Sequence, residues 1–207
     1  MTSGYSVSAR AGEAVVEAKG SHFYAWAVPT ATEAAVQVLL AMARGAHPEA
    51  NHHAYAYRLG PGGETARFSD DGEPGGTAGR PMMEILLRAA LVDVAVVVSR
   101  RFGGTLLGAG GLARAYGGAA AEAVRAAGVV ALRPHARLRL TVEYGLLGAV
   151  EQEIRRLELR PPEIEYGAHV TLMVLVPAAD VAPFQARVRD LSSGQAEARV
   201  EGTAFAE

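Results

Sequence analysis

Residues 91–116 read LVDVAVVVSRRFGGTLLGAGGLARAY, and the rest of the first half of the chain can be arranged around them. Residues 91–98 are a nearly unbroken apolar and β-branched run, which is typical of a central strand buried on both faces. A glycine-rich segment follows directly, and beyond it apolar residues recur at helical spacing. The pattern predicts a buried strand that leads through a glycine loop into a helix.

The glycines of this segment lie between a strand end and a helix start, where backbone N–H groups can converge on an anion. Glycine also lets the main chain approach a ligand and adopt positive φ. Arg114 would lie on the first helical turn, off the apolar stripe, and could help to hold a phosphate or carboxylate. Packing alone is the alternative explanation. The glycines concerned are Gly103, Gly104, Gly108, Gly110 and Gly111.

A second glycine-rich stretch, FSDDGEPGGTAGRPMMEILL, occupies residues 68–87. Pro81 stands where the first turn of a helix tolerates proline, and an apolar helical stripe follows it. The stretch therefore predicts a rigid turn that starts a helix and places Arg80 beside the other glycine segment. We expect Arg80 and Arg114 to lie on one surface and, with loop N–H groups, to bind phosphate or sulfate.

Three carboxylates in this stretch, those of Asp70, Asp71 and Glu73, allow two interpretations. In the first, the aspartates cap turns or accept backbone N–H bonds, and Glu73 pairs with Arg80. In the second, the three bind Mg²⁺ while the glycine segment after Arg101 holds the phosphates of a nucleotide. The chain contains no P-loop motif, which favours the first interpretation.

Upstream, the sequence predicts strands over residues 6–18 and 22–28, then a helix capped by Thr32. HHAYAYRL, which starts at His52, reads as a further strand. His52 and His53 would point to opposite faces of that strand, so they cannot both ligate one ion. Each is either a core imidazole with a hydrogen-bond partner or a surface contact.

The chain after Pro134 has a separate pattern. A fresh alternation starts at Ala136, so we place domain boundaries at 1–133 and 136–207 and treat the junction as a linker. The second part predicts the order βαββαβ, whose simplest closed arrangement is a ferredoxin-like sandwich with four antiparallel strands and two helices on one face. Its predicted elements are strand 137–144, helix 146–157, strand 163–166, strand 169–176, helix 181–191 and strand 197–203.

Composition excludes several classes of protein. The 207 residues include no cysteine, so no disulfide, thiolate nucleophile or cysteine zinc site is possible. Half of the residues are apolar, yet no run approaches the ~18 apolar residues of a membrane helix, and we expect a cytoplasmic protein. The net charge is −2, so a polyanion site would have to be a local basic cluster.

Three motifs together resemble the IMPACT/YigZ family, and the resemblance covers nearly the whole chain. They are NHHAYAYR, SDDGEPGGTAGRP and RRFGGTLLGAGGLARAYG, in the family's order and spacing. The chain departs from the family pattern at Ala54, Gly75 and Arg101, where the family often has Cys, Ser and an aromatic residue. These departures argue against a chemical role for that Cys or Ser.

The resemblance implies a two-domain α+β fold. The N-terminal domain would be similar to the left-handed βαβ domain of elongation factor G domain IV, and a ferredoxin-like domain would follow. It also implies a non-catalytic regulator or accessory protein of translation, which binds RNA, the ribosome or a translation-associated protein. The alternative is an enzyme that binds a phosphate ligand through the DDGEP carboxylates and the glycine loop.

We therefore expect a binding protein rather than an enzyme, without catalytic residues, metal or cofactor. Phosphate or sulfate could occupy its surface, and we expect no membrane contact. An enzyme would enclose a deep pocket with carboxylates facing the anion loop, whereas a binding protein would present a shallow, arginine-lined surface. The expected binding residues are His52, Asp70, Asp71, Glu73, Arg80, Arg100, Arg101, Gly103, Gly104, Gly108, Gly110, Gly111 and Arg114.

Overall fold

The computed structural model describes residues 4–207 and shows a mixed α+β chain with two antiparallel sheets. The chain divides into two compact units, Tyr5–Ala131 and Leu132–Glu207, and Gly4 is grouped with the second unit. Among the helices of residues 4–207, none is long and apolar enough to cross a membrane.

The first unit is built around a five-stranded sheet. Its elements are β1 (Tyr5–Ser8), β2 (Gly12–Ala18), β3 (Ser21–Pro29), α1 (Glu33–Ala46), β4 (His52–Leu59), β5 (Thr65–Ser69), α2 (Gly79–Arg88), β6 (Val94–Arg101) and α3 (Ala109–Ala127). The sheet has the order β2-β3-β6-β4-β5, and every neighbouring pair is antiparallel. β6 is central with seven of its eight residues buried, so the prediction of a buried central strand is confirmed.

Helices cover both faces of this sheet. The side chains of β6 alternate between two apolar clusters, because successive residues of a strand point to opposite faces. One cluster joins the sheet to α2 and α3 through residues such as Met82 and Tyr116. The other joins it to α1 through Val36 and Leu39. Thr32 caps α1, since its hydroxyl accepts the N–H of Ala35 at 3.2 Å.

The prediction of one strand over residues 6–18 is wrong, because the chain bends between β1 and β2. Ala9 and Arg10 donate their N–H groups to carbonyl groups at the end of α3, at 3.1 and 3.2 Å, instead of continuing a ladder. Gly12 then begins β2 where a side chain would overlap the backbone of α3. The close approach of the helix therefore sets where β2 starts.

The second unit contains a four-stranded ladder with the order β10-β7-β9-β8, and each pair in it is antiparallel. From β7 onward the elements follow the predicted order βαββαβ, with a short 3₁₀ turn before α5. Leu138, Leu172 and Phe184 are fully buried in its core. The elements are β7 (Val129–Val142), α4 (Tyr144–Arg156), β8 (Glu163–Tyr166), β9 (Val170–Pro177), α5 (Val181–Leu191) and β10 (Ala198–Ala206).

The junction near Pro134 is not a linker, contrary to prediction, because β7 runs without a break from Val129 to Val142. Pro134 pairs with Phe205 of β10, whereas the ladder with β9 begins one residue later, at His135. Proline lacks a backbone N–H, so a strand tolerates it at a position where no neighbouring strand needs a hydrogen bond from that N–H. Proline therefore does not end this strand.

Candidate binding surface of the first unit

The two glycine-rich loops meet at one end of the first unit's sheet. β3 begins there, β4 begins there and β6 ends there, since His22 pairs with Arg101 and His52 pairs with Arg100. The DDGEP loop reaches the same end, because the Nδ1 atom of His52 lies 2.8 Å from the carbonyl oxygen of Asp71. The antiparallel order of the strands thus gathers segments that are distant in sequence.

Asp70 holds the start of α2. Its carboxylate accepts the N–H groups of Gly76, Ala78 and Gly79 at 2.7, 2.9 and 2.8 Å. Burial would raise the pKa of Asp70, but the three N–H donors together outweigh burial and lower the pKa below its ordinary value. Asp70 is therefore a helix cap that satisfies amides without intrahelical partners.

Asp71 fixes the turn against the beginning of β4. Its carboxylate accepts the N–H of His53 at 2.7 Å and lies 3.4 Å from the guanidinium of Arg44. Its φ is +44°, a left-handed conformation that aspartate tolerates better than most residues. The expectation that both aspartates accept backbone N–H bonds is confirmed.

Glu73 is buried and does not pair with Arg80, so that expectation is wrong. Its Oε1 atom accepts hydrogen bonds from Arg100 Nη1 at 2.7 Å and from the Tyr116 hydroxyl at 2.8 Å. Burial, reinforced by the bond to Glu73, raises the pKa of Tyr116. Arg80 instead lies 3.7 Å from Glu84, one helical turn along α2.

Arg100 is buried as well, so it is not part of an exposed arginine surface as we expected. Its guanidinium lies between two rings, 5.6 Å from the centre of Phe23 and 5.5 Å from that of Phe102. Strand alternation explains the error, because Arg100 shares the inner face of β6 with Val98 and so faces the core beneath α3.

Each of the three carboxylates thus has a separate structural partner. Within residues 4–207, no group of three or more His, Asp or Glu side chains is arranged to hold a metal ion. Because these carboxylates are committed to backbone amides and to buried partners, the structure does not favour the Mg²⁺ interpretation of the DDGEP loop.

The glycines of the β6–α3 loop have different roles. Gly103 packs against Gly20 so closely that a side chain there would overlap the backbone of the β2–β3 hairpin. Gly104 and Gly108 have φ of +85° and +70°, and a Cβ at either would meet open space. Close packing explains why position 103 needs glycine. At positions 104 and 108 glycine is favoured because the turn requires a positive φ.

The start of α3 presents its first amides beside this loop. The first intrahelical bond joins Leu112 N–H to Gly108 C=O at 2.9 Å, so the amides of Ala109, Gly110 and Gly111 precede the helical ladder. Such amides carry partial positive charge and favour anions. Arg114 is exposed one turn further along and lies near Gly110.

Arg80 and Arg114 line the same open groove between α2 and α3, which has a volume of about 510 Å³. Arg88 and Glu84 also line it. A neighbouring hollow of about 380 Å³ contains Arg114 together with Lys19, a residue that we had not predicted for the surface. The expected proximity of Arg80 and Arg114 is therefore observed, and anion binding there stays a prediction.

Arg101 is exposed but lies on the opposite face of β6 from Arg100. Its cross-strand neighbour His22 lies 3.1 Å from Glu17 and stacks on Tyr24. The four arginines of the expected binding residues therefore do not form one cluster. Arg80 and Arg114 line the groove, Arg100 belongs to the buried ion pair, and Arg101 lies at the end of β6. His52 is half-buried beneath the DDGEP loop.

Two known domain families match this chain. The family model described as "Impact N-terminal domain" matches residues 19–124, which include every predicted site residue. A model described as "Domain of unknown function (DUF1949)" matches residues 140–195. The chain belongs to the IMPACT family.

Relatives of this IMPACT-family chain cover most of its length. It is 37% identical to "IMPACT family member YigZ" of Escherichia coli (strain K12), over 87% of this chain and 89% of that protein. It is 33% identical to "IMPACT family member YvyE" of Bacillus subtilis (strain 168), over 95% and 91%. It is also 41% identical to "IMPACT family member in pol 5'region" of Thermus thermophilus, over 84% and 95%.

A solved structure shares the fold of this IMPACT-family chain. It is described as "Crystal structure of an hypothetical protein", is 34% identical and superimposes with a TM-score of 0.63, covering 98% of this chain and 99% of that one.

Tyr116 is a neighbour of the candidate site that sequence reasoning missed, since nothing had marked it as a partner of Glu73. The available signal was a hydroxyl on the apolar stripe of α3, because a buried Tyr O–H usually has a hydrogen-bond partner. Its bond to Glu73 joins α3 to the DDGEP loop.

Proposed function

We propose that the chain is a non-catalytic accessory or regulatory protein of translation that binds RNA on or near the ribosome. The binding region is the Gly/Arg surface, which we define as Lys19, Arg80, Arg114 and the exposed glycines Gly104, Gly108 and Gly110. Exposed Arg101, at the end of β6, is a separate cation that we expect to contact the same RNA. The observation that carries the proposal is the open groove bordered by Arg80 and Arg114 beside the start of α3.

The charges of the groove suit a phosphate backbone. Three arginines and one glutamate line it, namely Arg80, Arg88, Arg114 and Glu84, and they leave two net positive charges. Glu84 lies 3.7 Å from both Arg80 and Arg88, at exposed positions where such pairs are weak and readily exchanged. Phosphate oxygens can therefore compete for these guanidinium groups.

The carboxylates nearby support binding rather than catalysis. Asp70, Asp71 and Glu73 serve the helix cap, the turn and the buried ion pair, so they are not directed at the groove as a reactive group would be. The lining of the groove is open and cationic, as expected of a surface that binds an extended polyanion. We accordingly favour RNA over a small phosphorylated substrate.

Two features of the fold support a role in translation by analogy. In the first unit, α1 connects β3 to β4, and β6 lies between these two strands. We interpret this unit as similar to the left-handed βαβ domain of elongation factor G. The order βαββαβ with the ladder β10-β7-β9-β8 supports a ferredoxin-like second unit.

The test measures binding of a labelled single-stranded RNA and co-sedimentation with ribosomes, with and without RNase. We expect Arg80→Ala with Arg114→Ala to weaken RNA binding at least tenfold. The log–log salt dependence should flatten by ~0.7 for each phosphate that the variant no longer neutralises. Arg160→Ala with Arg189→Ala removes the same charge from exposed positions of the second unit and serves as the matched control.

Three results would contradict the proposal in different ways. Equally weakened binding by the two double variants would mean that net charge, not the groove, drives binding. Absence of RNA or ribosome association by the wild type at low salt would reject the RNA form and leave a translation-associated protein as the partner. Turnover of a phosphorylated metabolite that Asp71→Asn abolishes would establish the enzyme alternative.

A further inference from the structure

Phe102 is an exposed aromatic residue held in a fixed place. It begins the loop after β6, and the residue is 43% exposed to solvent. Its backbone N–H donates to the Oδ1 atom of Asn51 at 3.0 Å. The next residue, Gly103, is anchored by a bond from its N–H to Ser21 Oγ at 3.1 Å. The backbone on both sides of the ring is therefore fixed by the neighbouring strands.

One face of the Phe102 ring is supported from within. The Arg100 guanidinium lies over the ring, 5.5 Å from its centre, and is itself held by the 2.7 Å ion pair with Glu73. Because that face is covered and the side chain is still exposed, the other face is left for a planar ligand. A ring supported in this way loses little conformational freedom when a ligand stacks on it.

One cation adjoins Phe102 along the chain, and another lies on the hairpin that packs against the next residue. Arg101 precedes it and is exposed, and Lys19 belongs to the hairpin whose Gly20 packs against Gly103. The loop and the first turn of α3, residues 102–111, contain no acidic residue. An aromatic face between cationic side chains is the usual arrangement for unpaired nucleotides, whose bases stack while their phosphates are neutralised.

We propose that Phe102 is a stacking platform for one unpaired base of single-stranded RNA, with Arg101 and Lys19 neutralising the phosphates on either side. The proposal rests on the proposed function and deepens it, because it names the form of RNA. A double-stranded ligand would not satisfy this surface, since its bases are already stacked on one another. The apolar pocket of a partner protein is less suited, because the flanking cations would be desolvated without a partner.

The experiment uses the full chain and a ten-nucleotide single-stranded RNA that contains one 2-aminopurine, whose fluorescence falls when it stacks. Wild type is compared with Phe102→Leu, which keeps apolar bulk over Arg100, and Phe102→Tyr, which keeps the aromatic ring. We expect quenching with wild type and Phe102→Tyr. Phe102→Leu should abolish the quenching and bind about tenfold more weakly.

Inorganic polyphosphate, which has no bases, serves as the second probe. Its affinity should be the same for wild type and Phe102→Leu, because it uses only the cations. If RNA binds wild type and Phe102→Leu with equal affinity and equal quenching, the stacking proposal fails while the proposed function stands. If wild type binds no RNA, both fail. If Phe102→Leu weakens polyphosphate binding as much as RNA binding, the residue acts through the structure of the loop and the proposal is overturned.

Discussion

Glu73 and Arg100 form a buried ion pair 2.7 Å long, between a glycine-rich turn and the last inward-facing residue of the central strand. Their side chains are 2% and 7% exposed, and Tyr116 supplies a further hydrogen bond to the same carboxylate oxygen. The pair joins the DDGEP loop, β6 and α3. A buried polar network therefore holds this loop in its place within the fold.

The first prediction concerns that pair. Glu73→Leu leaves the Arg100 guanidinium buried without its partner, so the free energy of unfolding should fall by about 3–5 kcal/mol. Adding Arg100→Met should recover part of that stability, because both charges are then gone. Urea unfolding measures the free energy of unfolding of the single and the double variant. Glu84→Leu, an exposed position, should change stability by less than about 1 kcal/mol. Equal effects at Glu73 and Glu84 would contradict the structural role.

The second prediction concerns the cap of α2. Asp70→Ala removes the acceptor of three N–H groups and should cost about 1–2 kcal/mol at pH 7. The folded pKa of Asp70 is lowered, so its contribution is present above the unfolded value and disappears as pH falls through the folded one. The difference between wild type and Asp70→Asn should therefore shrink over the acid range from about pH 5 downward. A constant difference over that window would refute the assignment.

The third prediction separates two neighbouring glycines. Gly103→Ala would place a methyl group against the backbone of Gly20 and should destabilise the chain by more than about 2 kcal/mol, because the backbone would have to move. Gly104→Ala meets open space and suffers only from its positive φ, at a cost of about 1–2 kcal/mol. Thermal unfolding of the two variants decides the order, and greater destabilisation at Gly104 would contradict it.

The fourth prediction concerns Arg101 and Arg100. Arg101→Ala should weaken RNA binding while changing the free energy of unfolding by less than about 0.5 kcal/mol, because the side chain is exposed. Arg100→Ala should destabilise the fold and so reduce binding indirectly. Measuring binding and denaturant unfolding for each single variant separates the two causes. A stable Arg100→Ala variant would show that the buried pair is dispensable.

The fifth prediction concerns the second unit as a separate fragment. Residues 132–207 should unfold cooperatively, since they hold their own core and the complete β7–β10 ladder. A fragment that starts at Ala136 lacks Arg133, Pro134 and His135, which pair with the last residues of β10, and should be less stable. Circular dichroism during heating compares the thermal unfolding transitions of the two fragments. No transition in the longer fragment would mean that the units fold only together.

Much of the fold was determined by local sequence. The buried strand at β6 was predicted because residues 91–98 are a nearly unbroken apolar and β-branched run, and β4 occupies the stretch HHAYAYRL that was predicted as a strand. α2 begins before Pro81 as the turn chemistry indicated, and the second half has the predicted order of elements. These features depend on residues close together in the chain, so periodicity, glycine and proline suffice to indicate them.

The partners of the charged residues were decided only by the tertiary structure. Glu73 and Arg80 are close in sequence and looked like a pair, but Glu73 meets Arg100, 27 positions away, because the register of β4 and β6 brings the DDGEP loop to that end of the sheet. β7 likewise continues through Pro134 because β10 pairs with it. Sequence spacing determines which face a side chain occupies, whereas strand register and loop packing determine what it meets there.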